Sequence, residues 1–135
     1  MEPARSLVLA IVDHDRITRV IRRRTVTVGF GAESVAVVEG ETGMDAIELR
    51  FGAAPVDAMV LHDILPEMDG PEALAETRRR ELAEGLARLP ALMMPAWLPP
   101  VDGDWDECLL RPYSGPAFVA AVGRLLGLTP RPLGD

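Results

Sequence analysis

An α/β fold, with a parallel sheet of five strands covered by helices on both faces, is what this 135-residue chain predicts. Three observations carry that expectation. Apolar runs of strand length alternate with segments whose apolar residues recur at helical spacing. The first run, Leu7 to Val12, is apolar throughout, as a strand buried on both faces must be. Residues suited to starting helices, Asp15, Asp69 and Ser114, stand at the junctions between runs.

Taken in order, Leu7 to Val12 is the first strand, and Asp15 caps a helix in which Ile17, Val20, Ile21 and Val28 repeat at helical spacing. That pattern predicts these four residues inward and Arg16, Arg19, Arg22 and Arg23 mostly outward. The runs Arg22-Arg23-Arg24 and Arg78-Arg79-Arg80 both read as solvated helix faces. Valine-rich Ser34 to Glu39 is the second strand, and Thr42 to Leu49 a short helix. Asp57 to His62 forms the third strand. A third helix opens at Asp69-Gly70-Pro71-Glu72, because proline is tolerated and acidic residues are favoured in a first turn.

Pro90 to Met94 and Glu107 to Leu110 are the fourth and fifth strands. The segment between them, from Ala96 to Asp106, holds two adjacent prolines and a glycine, so a helix there is predicted to be shortened or missing. The last helix, capped by Ser114, runs to Leu126 with Phe118, Val122 and Leu125 inward. The expected organisation is a single domain over 1–127 and a flexible tail over 128–135.

Composition narrows the function classes. A net charge of −7 and a pI near 4.8 argue against a nucleic-acid partner, which calls for a basic stripe. All 14 basic residues are arginine, since the chain has no lysine. The one cysteine, Cys108, excludes an internal disulfide and is expected buried and inert. No stretch has the length of a membrane span and the N-terminus is not a signal peptide, so a cytoplasmic protein is expected.

The segment Val60-Leu61-His62-Asp63-Ile64-Leu65-Pro66-Glu67-Met68-Asp69-Gly70, with Asp13 after the first strand and Leu110-Arg111-Pro112-Tyr113-Ser114 after the fifth, resembles the response-regulator receiver domains, the CheY-like family. The resemblance covers nearly the whole chain. It implies a flavodoxin-like (βα)5 sheet in the order 2-1-3-4-5, with a ligand site at the carboxyl ends of the strands where strand order reverses, a rule for which the chemotaxis receiver is a standard illustration.

It also implies a degenerate phosphorylation pocket made of Asp13, His14, His62, Asp63, Pro95 and Arg111. The family places its phosphoacceptor aspartate four residues before the proline, where this chain has His62. Asp63 is one residue late and points to the other face of a strand unless the register slips. His14 stands for the second acid that helps hold Mg²⁺, Pro95 for a Ser or Thr, and Arg111 for the lysine, a swap that keeps charge but not shape. Only Asp13 is retained, and Cys108 stands at the aromatic switch position, although Tyr113 follows Pro112.

The expected function is that of a stand-alone atypical response regulator, a pseudo-receiver of bacterial two-component signalling. It would act by protein–protein interaction, without enzymatic activity and without conventional aspartyl phosphorylation. Its partner would be a histidine kinase, another receiver or a scaffold, met by a monomer or a homodimer. Trp97, Trp105, Tyr113 and Phe118, where exposed, are the expected contact residues, as aromatics at a rebuilt surface are typical anchors; the plainer reading of the two tryptophans is that they cover the sheet where a helix is missing. No cofactor is expected and Mg²⁺ binding should be weak or absent. Three alternatives stay open: an active phosphorelay receiver using Asp63 as a shifted acceptor, phosphorylation of His62 itself, or a transition-metal or pH sensor built from Asp13, His14 and His62.

Overall fold

The computed structural model describes residues 5–96 and 103–132. Its strands are β1 (Leu7–Val12), β2 (Val35–Gly40), β3 (Ala58–His62), β4 (Ala91–Met94) and β5 (Glu107–Cys108). Its helices are α1 (Arg16–Phe30), α2 (Gly43–Phe51), α3 (Gly70–Glu84) and α4 (Gly115–Leu126). The sheet is parallel throughout, in the order β2-β1-β3-β4-β5. Among the described residues no helix lies between β4 and β5; the expectation for Trp97 to Asp102, with both prolines, lies outside the described residues.

Alternating side chains of the central strands feed two cores. Leu9, Ile11, Val60 and Leu92 face α1 and α4, meeting Val26, Phe30, Phe118 and Val122. Ala10, Val12, Met59, Leu61 and Met93 face α2 and α3, meeting Ala46, Ala73 and Leu74. The helices begin where the sequence said they would. Asp15, Thr42, Asp69 and Ser114 each accept from a backbone N–H of the first turn.

α1 overturns the expected orientation. Ile17, Val20, Ile21 and Val28 are exposed, Ile21 at 58%, while Arg19 and Arg22 are buried at 6% and 2%. The face at positions 19, 22, 26 and 30 has the same helical spacing as the apolar one, and Val26 and Phe30 anchor it to the core. Arg19 and Arg22 can be buried because carboxylates meet them: Asp13 takes Arg22, while Glu39 and Glu41 take Arg19.

The second arginine run is corrected in the same way. Arg78 is buried on α3, donating to Glu81 Oε1 at 2.8 Å, while Arg50 donates to Glu81 Oε2 at 2.9 Å. Arg78 and Arg88 also reach the carbonyl of Asp104, and both contact Asp106. This ion network ties Asp104 and Asp106, just before β5, to α3.

β5 ends two residues earlier than expected. Leu109 still donates to the carbonyl of Met93, but Leu110 is exposed and Pro112, soon after, has no N–H to extend a ladder.

Candidate functional site

The site is built at the carboxyl ends of β1 and β3, where two neighbouring strands lead to connections on opposite faces of the sheet. A cavity of about 380 Å³ opens there, lined by Asp13, His14, Asp15, Thr18, His62 and Arg111. The structure therefore brings together four of the expected pocket residues, Asp13, His14, His62 and Arg111.

Asp13 is fully engaged. Its Oδ2 accepts from Arg22 Nη1 at 2.9 Å and its Oδ1 from the backbone N–H of Asp15 at 2.9 Å. Its backbone carbonyl accepts from Arg19 at 2.6 Å. Arg22 also donates to the hydroxyl of Tyr113 at 3.0 and 3.2 Å. A guanidinium thus sits against the one retained acid, where a cation would otherwise bind, and clasps the residue after Pro112. Arg19, Arg22 and Thr18 were missed in the sequence. The signal available was the i, i+3, i+7 spacing of Arg19, Arg22 and Val26.

His62 ends β3, only 5% exposed, with its Nδ1 3.2 Å from the N–H and 3.0 Å from the carbonyl of Ile64. β3 pairs with β4 in unbroken register as far as His62 opposite Met94, so no slip brings Asp63 into the acceptor position. Asp63 instead accepts from the N–H of Ala96 at 3.1 Å and is not part of the cavity lining. Pro95, buried after β4, does not line the cavity either. Gly70 holds the turn after β3 close: its N–H donates to the carbonyl of Asp63 at 2.7 Å, and a Cβ there would strike the carbonyl of His62.

The expected metal set does not assemble. Asp13, His14 and His62 share the cavity, with the imidazole rings 6.1 Å apart. Asp13 is nonetheless spent on Arg22, and among the described residues no group of three His, Cys, Asp or Glu side chains is placed to hold a metal ion. Asp15 stays ionised, because the hydroxyl of Thr18 holds its carboxyl below the usual range. Cys108 is half-buried, and burial, with the nearby Asp63 carboxylate, pushes its thiol up and keeps it protonated.

The expected contact residues are also redistributed. Phe118 is 1% exposed and belongs to the core. Tyr113 is half-buried against Phe118 and held by Arg22. Trp105 is half-buried, packed against the α2–α3 core. Trp97 lies outside the described residues. An exposed apolar stripe lies on α1, beside a groove of about 330 Å³ lined by Ile21, Arg24, Thr25, Val28 and Gly115, while Leu82 on α3 and Leu86 after it are exposed as well.

No family model and no curated protein sequence matches the chain. Its structure does match solved receiver domains. The receiver domain of the putative response regulator NarL from Mycobacterium tuberculosis matches with a TM-score of 0.74 at 23% identity, over 92% of this chain and 98% of that one. The receiver domain of an HD domain-containing protein from Pseudomonas fluorescens Pf-5 matches with 0.74 at 16% identity, over 91% and 96%. That of a sensor histidine kinase from Pseudomonas aeruginosa PAO1, with a magnesium ion coordinated in its active site cleft, matches with 0.67 at 18% identity, over 90% and 98%. The chain has the CheY-like receiver fold.

Proposed function

We propose that this receiver-fold chain is a pseudo-receiver of bacterial two-component signalling, which works by docking a protein partner and does not undergo conventional aspartyl phosphorylation. The observation that carries this reading is the Arg22–Asp13 pair. A metal-assisted phosphoryl transfer needs carboxylates free to hold the ion and an acceptor facing it. In this chain the retained carboxylate is neutralised by a buried guanidinium, the acceptor position is His62, and Asp63 is turned toward Ala96.

The docking surface is α1. Ile17, Val20, Ile21 and Val28 form an exposed apolar stripe, and the exposed Arg16 and Arg24 put positive charge beside it on a chain of net charge −7. Apolar anchors at helical spacing with flanking cations fit an amphipathic helix with acidic flanks on a kinase, receiver or scaffold.

Site-specific photocrosslinking in the source cell tests this. A photoreactive residue at Ile21 is expected to capture a signalling protein, whereas the same residue at the exposed Ala75 of α3 is not. Loss of the Ile21 product on adding Val28→Glu, with the fold intact by circular dichroism, is the expected control. Equal capture from both positions, or none from α1, contradicts the assignment.

A further inference from the structure

We propose that the cavity between β1 and β3 is a metal-free oxyanion site, built to take a phosphate-class dianion in place of a cation. This rests on the reading above, in which Arg22 has replaced a metal.

The distribution of donors and acceptors carries the proposal. Both carboxylates that line the cavity already hold donors: Asp13 takes Arg22 and the N–H of Asp15, and Asp15 takes the N–H of Ile17 and the hydroxyl of Thr18. The remaining capacity belongs to donors. His62 is 5% exposed, bonds only through Nδ1, and has no partner for Nε2 among the described residues. His14 stands across the cavity at 6.1 Å between rings, and the exposed Arg111 closes the third side. One buried donor, His62 Nε2, flanked by the exposed His14 and Arg111, gives the cavity the donors that an oxyanion needs.

The contacts of His62 suit both of its protonation states. When neutral, Nδ1 accepts from the N–H of Ile64, which leaves the proton on Nε2. When cationic, Nδ1–H donates to the carbonyl of Ile64. In each state Nε2–H is a donor toward the cavity.

Titrating inorganic phosphate into the full chain in the presence of a chelator, with the imidazole proton NMR signals of His14 and His62 as the readout, tests this. The expected result is a saturable shift of both signals at about pH 8, where inorganic phosphate is a dianion. Arg111→Ala, on an exposed side chain whose loss spares the fold, is expected to weaken binding about tenfold or more, and His62→Asn likewise. No saturable shift, binding that needs added Mg²⁺, or unchanged affinity in Arg111→Ala overturns the proposal. The α1 photocrosslink does not depend on phosphate, so its outcome separates failure of this site from failure of the docking function.

Discussion

Arg22→Ala is expected to cost about 3–5 kcal/mol of folding stability, because it leaves the buried Asp13 carboxylate without its counter-charge. Both partners are almost wholly enclosed, at 3% and 2% side-chain exposure, so water cannot take over the role of the guanidinium. The loss also frees the hydroxyl of Tyr113, which takes two bonds from the same side chain. The melting temperature should fall by roughly 10 °C or more. Arg22→Lys should recover only part of this, since one ammonium cannot span Asp13 and Tyr113 as the planar fork does. Asp13→Asn in the Arg22→Ala background should restore stability, as it removes the stranded charge. Thermal unfolding of the two single variants and the double variant gives the coupling directly. Additive losses would show that the pair does not act as a unit.

Glu81→Ala should produce a loss of similar size, about 3–5 kcal/mol, by a second buried network. The Glu81 carboxylate accepts from Arg78, Arg50 and the backbone N–H of Leu89, and all three lose their acceptor together. Arg78 is buried and also holds the connection before β5 through the carbonyl of Asp104, so loosening there should raise hydrogen exchange around Trp105.

The same carboxylate predicts an acid limb of the stability curve. Burial pushes the Glu81 carboxyl up, but Arg78, the Leu89 N–H and Arg50 outweigh it and hold the folded-state pKa below the ordinary value. A depressed folded-state pKa contributes stability that is complete above the ordinary glutamate range near about 4.3 and is lost as pH falls below it. Glu39, lowered by Arg23 and Arg19 against its burial, acts in the same direction. Denaturant melts of Glu81→Gln should therefore be less stable than the parent at neutral pH and show a flatter decline into acid. An equally steep decline would place the acid sensitivity elsewhere.

The parallel sheet could be read from the chain because unbroken apolar runs such as Leu7–Val12 have few other solutions, and the caps at Asp15, Asp69 and Ser114 mark where helices start; its strand order came from the resemblance carried by the segment around Pro66. The cavity was legible in part: the substitutions at positions 14, 62 and 111 could be located from strand ends and the Pro66–Gly70 turn alone. α1 could not be oriented. Its apolar and arginine faces repeat at the same period, and the choice depends on carboxylates at Asp13, Glu39 and Glu41, which only the tertiary fold brings near. Among the aromatics, Phe118 is the one the contact reading misplaced, since it belongs to the core. Of the two readings of the tryptophans, Trp105 follows the one in which it packs over the sheet, against the α2–α3 core.

The most direct test of the central claim, that Arg22 and His62 have displaced metal-assisted aspartyl chemistry, is intact-mass spectrometry after incubation with acetyl phosphate and Mg²⁺, with hydroxylamine treatment to reveal acyl phosphate. The predicted result is no hydroxylamine-labile adduct in the parent or in Asp63→Asn. A stoichiometric hydroxylamine-labile adduct that disappears in Asp63→Asn would contradict it, and would mean that the end of β3 rearranges to present Asp63 in solution.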